Sequence, residues 1–118
     1  MNNLEMIKVI VKTLDSKKAI DIKVIKVEEL TSLTEYFVIC NGTSSTQIKS
    51  LADEVEVILE QAGVKVNHRE GYSAGNWVLL DYISVIIHIF HKDMREFYSL
   101  ERLWADGESI DISKLLSK

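Results

Sequence analysis

A run of almost unbroken apolar residues, EYFVIC (Glu35 to Cys40), is followed at once by STQIKSLADEVEVILEQAG, and that succession restricts the fold most. A strand with no polar alternation belongs at the centre of a sheet covered on both faces. The next stretch places Ile48, Leu51, Ala52, Val55, Ile58 and Leu59 at i, i+3, i+4 and i+7 spacing and stops at Gly63, which predicts an amphipathic helix. Asn41-Gly42 ends the strand, and Thr43, Ser44 and Ser45 offer caps for the helix. A strand–helix–strand unit in mid-chain favours one parallel crossover, and so an α/β architecture.

The remaining elements fit around that unit. Leu4, Ile7, Val11 and Leu14 predict a first helix over 3–16, with Asn2 or Asn3 as its cap. IDIKVIKV (Ile20 to Val27) alternates as a half-buried strand, and KVNHRE (Lys65 to Glu70) is a weaker one followed by the loop GYSAGN. WVLLDY and SVIIHIF form a hairpin over Ile83-Ser84, although that pair lacks the usual Asn-Gly signature. MREFYSLERLW is the last helix. The expected fold is a single compact α/β domain, a mixed five-stranded sheet flanked by helices, over 1–106. Residues 107–118 read as a polar C-terminal tail with one short turn in ISKLL. With no proline and no Gly/Ser-rich linker in 118 residues, nothing marks a second domain.

Composition narrows the function. The net charge of −4 gives no electrostatic reason to seek nucleic acid and favours a basic partner. No stretch approaches the ~20 apolar residues needed to cross a bilayer, and the N-terminus lacks a secretion signal. The single cysteine, Cys40, suits a reducing cytosol, so a cytoplasmic location is expected. Catalytic constellations are also missing. Asn41 to Ser45 resembles a phosphate-cradling turn, but a well-capped helix start looks the same, and the motif lacks a Walker lysine. Nucleotidyl transfer needs paired carboxylates for magnesium, whereas Glu70 and Asp81 stand singly on their strands. His68, His88, His91 and Cys40 have no zinc spacing, and His88 shares a face with Ile86 and Phe90 as a packed histidine. No catalytic residue, metal or cofactor is expected.

The aromatics are in surplus. Along WVLLDY, Trp77, Leu79 and Asp81 point one way and Val78, Leu80 and Tyr82 the other, so both faces carry a large aromatic. Either both faces are covered, or part of the strand is an exposed apolar patch of the kind that marks a partner site. In the last helix, Phe97, Leu100, Leu103 and Trp104 suit packing on the sheet, which leaves Tyr98 unaccounted for.

YFVICNGTSSTQIKSLADEVE, EGYSAGNWVLLDY and VIIHIFHKDMREFYSLERLW, with the leading helix, resemble the ribosomal silencing factor family, also called Iojap-like proteins. The resemblance runs from about Leu4 to Trp104, and GTSS, ADEVE, WVLLDY and REFYSLERLW are jointly specific. It implies a fold remotely like nucleotidyltransferases without their carboxylates, and a non-enzymatic role in translation repression. The implied partner is large-subunit ribosomal protein fourteen on the 50S subunit, with association of the 30S subunit blocked in starvation or stationary phase. Contact would run through Trp77, Leu80 and Tyr82, extended by His91, Arg95, Glu96, Tyr98 and Glu101. Peripheral ribosomal RNA contact and a homodimer of the free protein are compatible with it. Because Trp77 and Leu80 have opposite parity, the strand is expected near a sheet edge or twisted there.

Overall fold

The computed structural model describes residues 1–116, apart from the side chains of residues 96–98. Helix α1 (Asn3–Ser16) starts where the Asn2 side chain accepts the Glu5 N–H at 2.8 Å, and it buries Met6, Ile7, Ile10, Val11 and Leu14. Strand β1 (Ile20–Lys26) leads to β2 (Tyr36–Gly42), which is buried at every position. Helix α2 (Ser45–Gln61) begins with Ser44 Oγ accepting the Gln47 N–H at 3.1 Å. Strands β3 (His68–Glu70), β4 (Trp77–Asp81) and β5 (Val85–His91) follow. Helices α3 (Lys92–Tyr98) and α4 (Leu100–Leu103), strand β6 (Glu108–Ile110) and helix α5 (Ile112–Leu116) complete the described chain.

These strands form one mixed sheet in the order β3-β4-β5-β2-β1-β6. The expected parallel pair is present, but its members are β2 and β5, with Ile39 opposite His88. After α2 the chain runs out to the edge strand β3 and returns through the β4–β5 hairpin. The turn at Ile83 is held by the Ile83 N–H donating to Asp81 Oδ1 at 2.7 Å and the Tyr82 N–H donating to the Val85 carbonyl at 2.9 Å.

The two faces of the sheet are covered unequally. On the first, α1 and α2 bury Val24, Val38, Cys40, Val78, Leu80, Ile87 and Ile89 in the main core. On the second, Ile25, Val27, Phe37, Ile39 and Phe90 form a smaller cluster against which Met94, Leu100 and Trp104 are only partly buried.

Three features differ from the expectation. The sheet has six strands rather than five, because β6 pairs antiparallel with β1, Val24 opposite Ile110. Three residues in a polar run carry no periodicity of their own, and β6 exists because β1 offers it an edge. Only His68–Glu70 of KVNHRE is strand. The last helix is broken at Ser99, whose backbone is left-handed (φ 47°, ψ 51°), and Leu103 is 71% exposed instead of packed. The expected packing of Phe97 lies outside the described residues.

Gly71 sets the approach of the β3–β4 loop to the start of β4. Its φ is 78°, and a Cβ there would run into the Trp77 carbonyl oxygen. Gly63 has a similar φ of 86° but open space around it. Gly71→Ala should therefore cost about 2 kcal/mol or more in chemical denaturation, and Gly63→Ala only about 1.

Candidate docking face

The second face of the sheet is built by the alternation of its strands. Trp77, Leu79 and Asp81 of β4 face the same side as Ile86, His88 and Phe90 of β5 and Phe37 and Ile39 of β2, as the pairs Trp77–Phe90, Leu79–His88 and Phe37–Ile86 require. Burial along β4 alternates regularly, half-buried at Trp77, Leu79 and Asp81 and buried at Val78 and Leu80. α3 and α4 roof part of this face, where the Trp104 ring stands edge-on to Phe37 with centroids 5.3 Å apart. On β4, Trp77 packs half-buried against the same cluster.

Trp77 is fixed from below. It stacks on Phe90 with centroids 4.8 Å apart, and its indole Nε1–H donates to His88 Nδ1 at 3.1 Å. That bond puts the proton of the neutral imidazole on Nε2, which is buried without an acceptor among the described residues. Phe37 stands edge-on to the same ring at 5.1 Å. Burial pushes His88 down to about 4, so the imidazole is neutral near pH 7. The indole N–H is thereby committed inward.

The residues named from the resemblance do not share one surface. Leu80 is fully buried and Tyr82 nearly so, both in the main core behind the sheet. β4 lies second from the edge with no bulge in its pairing to β5, so opposite parity puts Trp77 and Leu80 on opposite faces. β3 pairs with Leu79 to Asp81 only, which leaves the Trp77 end of β4 beyond it. His91 is half-buried at the start of α3, its Nδ1 3.4 Å from the Asp93 N–H it accepts. Glu96 and Tyr98 lie outside the residues whose side chains are described.

Arg95 is 6% exposed and acts as a fastener. Its Nη1 donates to the Asp21 carbonyl at 2.6 Å and to Asn41 Oδ1 at 2.7 Å, while Nε and Nη2 fork onto the Glu101 carboxylate, each at 3.1 Å. The Arg95 hydrogen bonds, with Lys23 nearby, hold the Glu101 carboxyl below its usual range. α3 and α4 are thereby tied to the ends of β1 and β2.

That cluster forms one wall of a crevice of about 710 Å3 at the carboxyl ends of β2 and β5. In its turn Asn41 to Ser45, the Thr43 N–H and hydroxyl both donate to Gln47 Oε1, at 2.6 and 3.0 Å, and Ser44 Oγ caps α2 by accepting the Gln47 N–H. Among the described residues no three His, Cys, Asp or Glu gather as metal ligands. Cys40 is buried, and burial pushes its thiol up to about 12, far from a reactive thiolate. No helix among the described residues is long and apolar enough to cross a membrane.

Sequence reasoning identified Trp77 and missed its bond to His88, although Trp77 and His88 each alternate onto the same face. It also missed Asn41 as a partner of Arg95; the signal was a polar residue closing an otherwise apolar buried strand.

A family model described as "Ribosomal silencing factor during starvation" matches residues 1–118. The chain is 32% identical over 117 residues to the ribosomal silencing factor RsfS of Halalkalibacterium halodurans, spanning 99% of this chain and 100% of that one. It is 36% identical over 112 residues to RsfS of Bacillus subtilis, with 95% of each chain covered. The crystal structure of a Chromobacterium violaceum protein superposes with a TM-score of 0.87 at 34% identity, covering 94% of this chain and 92% of that one.

A histidine depressed by burial is uncharged in the fold and takes up a proton more readily when unfolded. Its contribution to stability is complete above the unfolded value near 6.5 and is lost as pH falls toward 4, at about 1.4 kcal/mol per unit. Protonation also removes the acceptor for Trp77. Denaturation at pH 7 and pH 5 should differ by about 2 kcal/mol from this group, and His88→Asn should flatten that slope.

Proposed function

The chain belongs to the ribosomal silencing factor family, and we propose that it docks on large-subunit ribosomal protein fourteen and sterically blocks joining of the 30S subunit to the 50S subunit. The role is repression of translation in the cytoplasm during starvation. The observation that carries this reading is the second face of the sheet, where Trp77 and Leu79 on β4 are only half-buried. Trp is among the residue types that dominate binding energy at protein interfaces. The net charge of −4 complements a basic ribosomal protein and speeds encounter with it.

The other residues named for the site take supporting parts. Leu80 and Tyr82 back β4 from the core, and Arg95 with Glu101 holds α3 and α4 beside the second face. By the family resemblance, Glu96, Tyr98 and His91 extend the contact. Blocking by bulk needs no catalytic group, so inhibition is stoichiometric with large subunits. Ribosomal RNA touches at most the rim, and self-pairing of the free protein through the same face competes with docking.

Sedimentation with isolated large subunits, small subunits and joined ribosomes tests the reading. Wild type should travel with large subunits only and reduce joining in proportion to its amount. Trp77→Ala should weaken binding by about 2 kcal/mol, roughly thirty-fold, with Trp77→Phe closer to wild type because the indole N–H is already committed to His88. Turnover of a nucleotide, or binding unchanged by Trp77→Ala, would contradict it.

A further inference from the structure

At the end of β4 away from Trp77, two loops carry apolar side chains that the fold leaves outside. Leu33, in the β1–β2 connection, is 77% exposed, and Ile83, in the β4–β5 turn, is 66% exposed. The loops are joined: the Ser84 carbonyl accepts the N–H of Glu35 at 3.0 Å and of Tyr36 at 3.1 Å. Leu33 and Ile83 line one shallow depression of about 270 Å3. Asn3 of α1 completes the junction, donating to Glu35 and accepting from Ser84 Oγ, each at 2.7 Å. This brings Leu4, 57% exposed, to the same end of the molecule.

Ile83 is unusual in its backbone as well as its exposure. Its φ is 72°, a left-handed conformation in which a β-branched residue is an outlier and glycine is at ease. The hydrogen bonds of the turn run through main-chain groups and Asp81, so they do not need an isoleucine side chain. Nor does the core gain from it. A strained backbone carrying an unburied branched side chain beside an exposed leucine points to a contact outside the chain.

The surroundings specify the partner's chemistry. Glu28 and Glu35 line the same depression and Asp81 accepts the Ile83 N–H, and of these three carboxylates only Glu28 has a salt bridge among the described residues, to Lys26 at 3.0 Å. Such a rim repels both nucleic acid and a second copy of itself, and it complements a basic polypeptide with an apolar contact point. We propose that Leu33 and Ile83 form a second anchor, seated on a basic protein surface of the large ribosomal subunit; this rests on the docking function proposed above. Ile83 lies six residues along the chain from Trp77, at most about 20 Å, which fits within one interface of ~800 Å2 per partner.

Ile83→Gly separates anchoring from folding, because it removes the strain together with the side chain. Its melting temperature should rise, while its affinity for isolated large subunits falls about tenfold. Leu33→Ser, outside the strained turn, should show the same loss of affinity with little change in melting, and it decides the matter if Ile83→Gly does not fold. Wild-type binding that withstands both substitutions but not Trp77→Ala overturns the second anchor alone. Failure of wild type to bind large subunits overturns the docking function and the anchor with it.

Discussion

The buried guanidinium of Arg95 is the interaction on which the arrangement of helices over the second face depends. It joins α3 to β1 through the Asp21 carbonyl, to β2 through Asn41 and to α4 through Glu101. A charge so buried is tolerated because all these bonds are made together and the carboxylate fork matches its geometry. α3 and α4 are short and separated by a left-handed residue, so neither holds a position by helical hydrogen bonding alone. Arg95 fastens them to the ends of β1 and β2 beside the second face.

The β4 side of that face is shaped by strand alternation. In β4, Val78 and Leu80 anchor the strand in the core, which obliges Trp77 and Leu79 to face the other way. Trp77 is then stacked on Phe90 and bonded to His88, so a large ring is held before any partner arrives. Holding it in advance lowers the conformational cost of docking. The burial of His88 and its unmatched Nε2–H are the stability given up for that arrangement.

Much of this was legible in the sequence. The helical spacing of Leu51, Val55 and Leu59, the unbroken apolar run of β2 and the hairpin around Ile83 each identify an element by period and punctuation. What escaped depends on distant partners. β6 is a strand only because β1 has a free edge, and the break at Ser99 is set where Arg95 and Glu101 must meet. Nothing in the local spacing marks Arg95 for burial, since Asn41 and Asp21 lie 54 and 74 residues away in the chain. The resemblance to the family named Trp77 and Leu80 together, and only the strand register shows that they face opposite sides of the sheet.

The account stands on one claim, that the second face of the sheet and not the helical face meets the large subunit. A photo-crosslinking side chain placed at Leu79, on the second face, and separately at Val57, half-exposed on α2, tests it directly. With isolated large subunits, the account predicts a protein crosslink from position 79 and none from 57. Coupling from 57 with none from 79 would place the helices against the ribosome and contradict it.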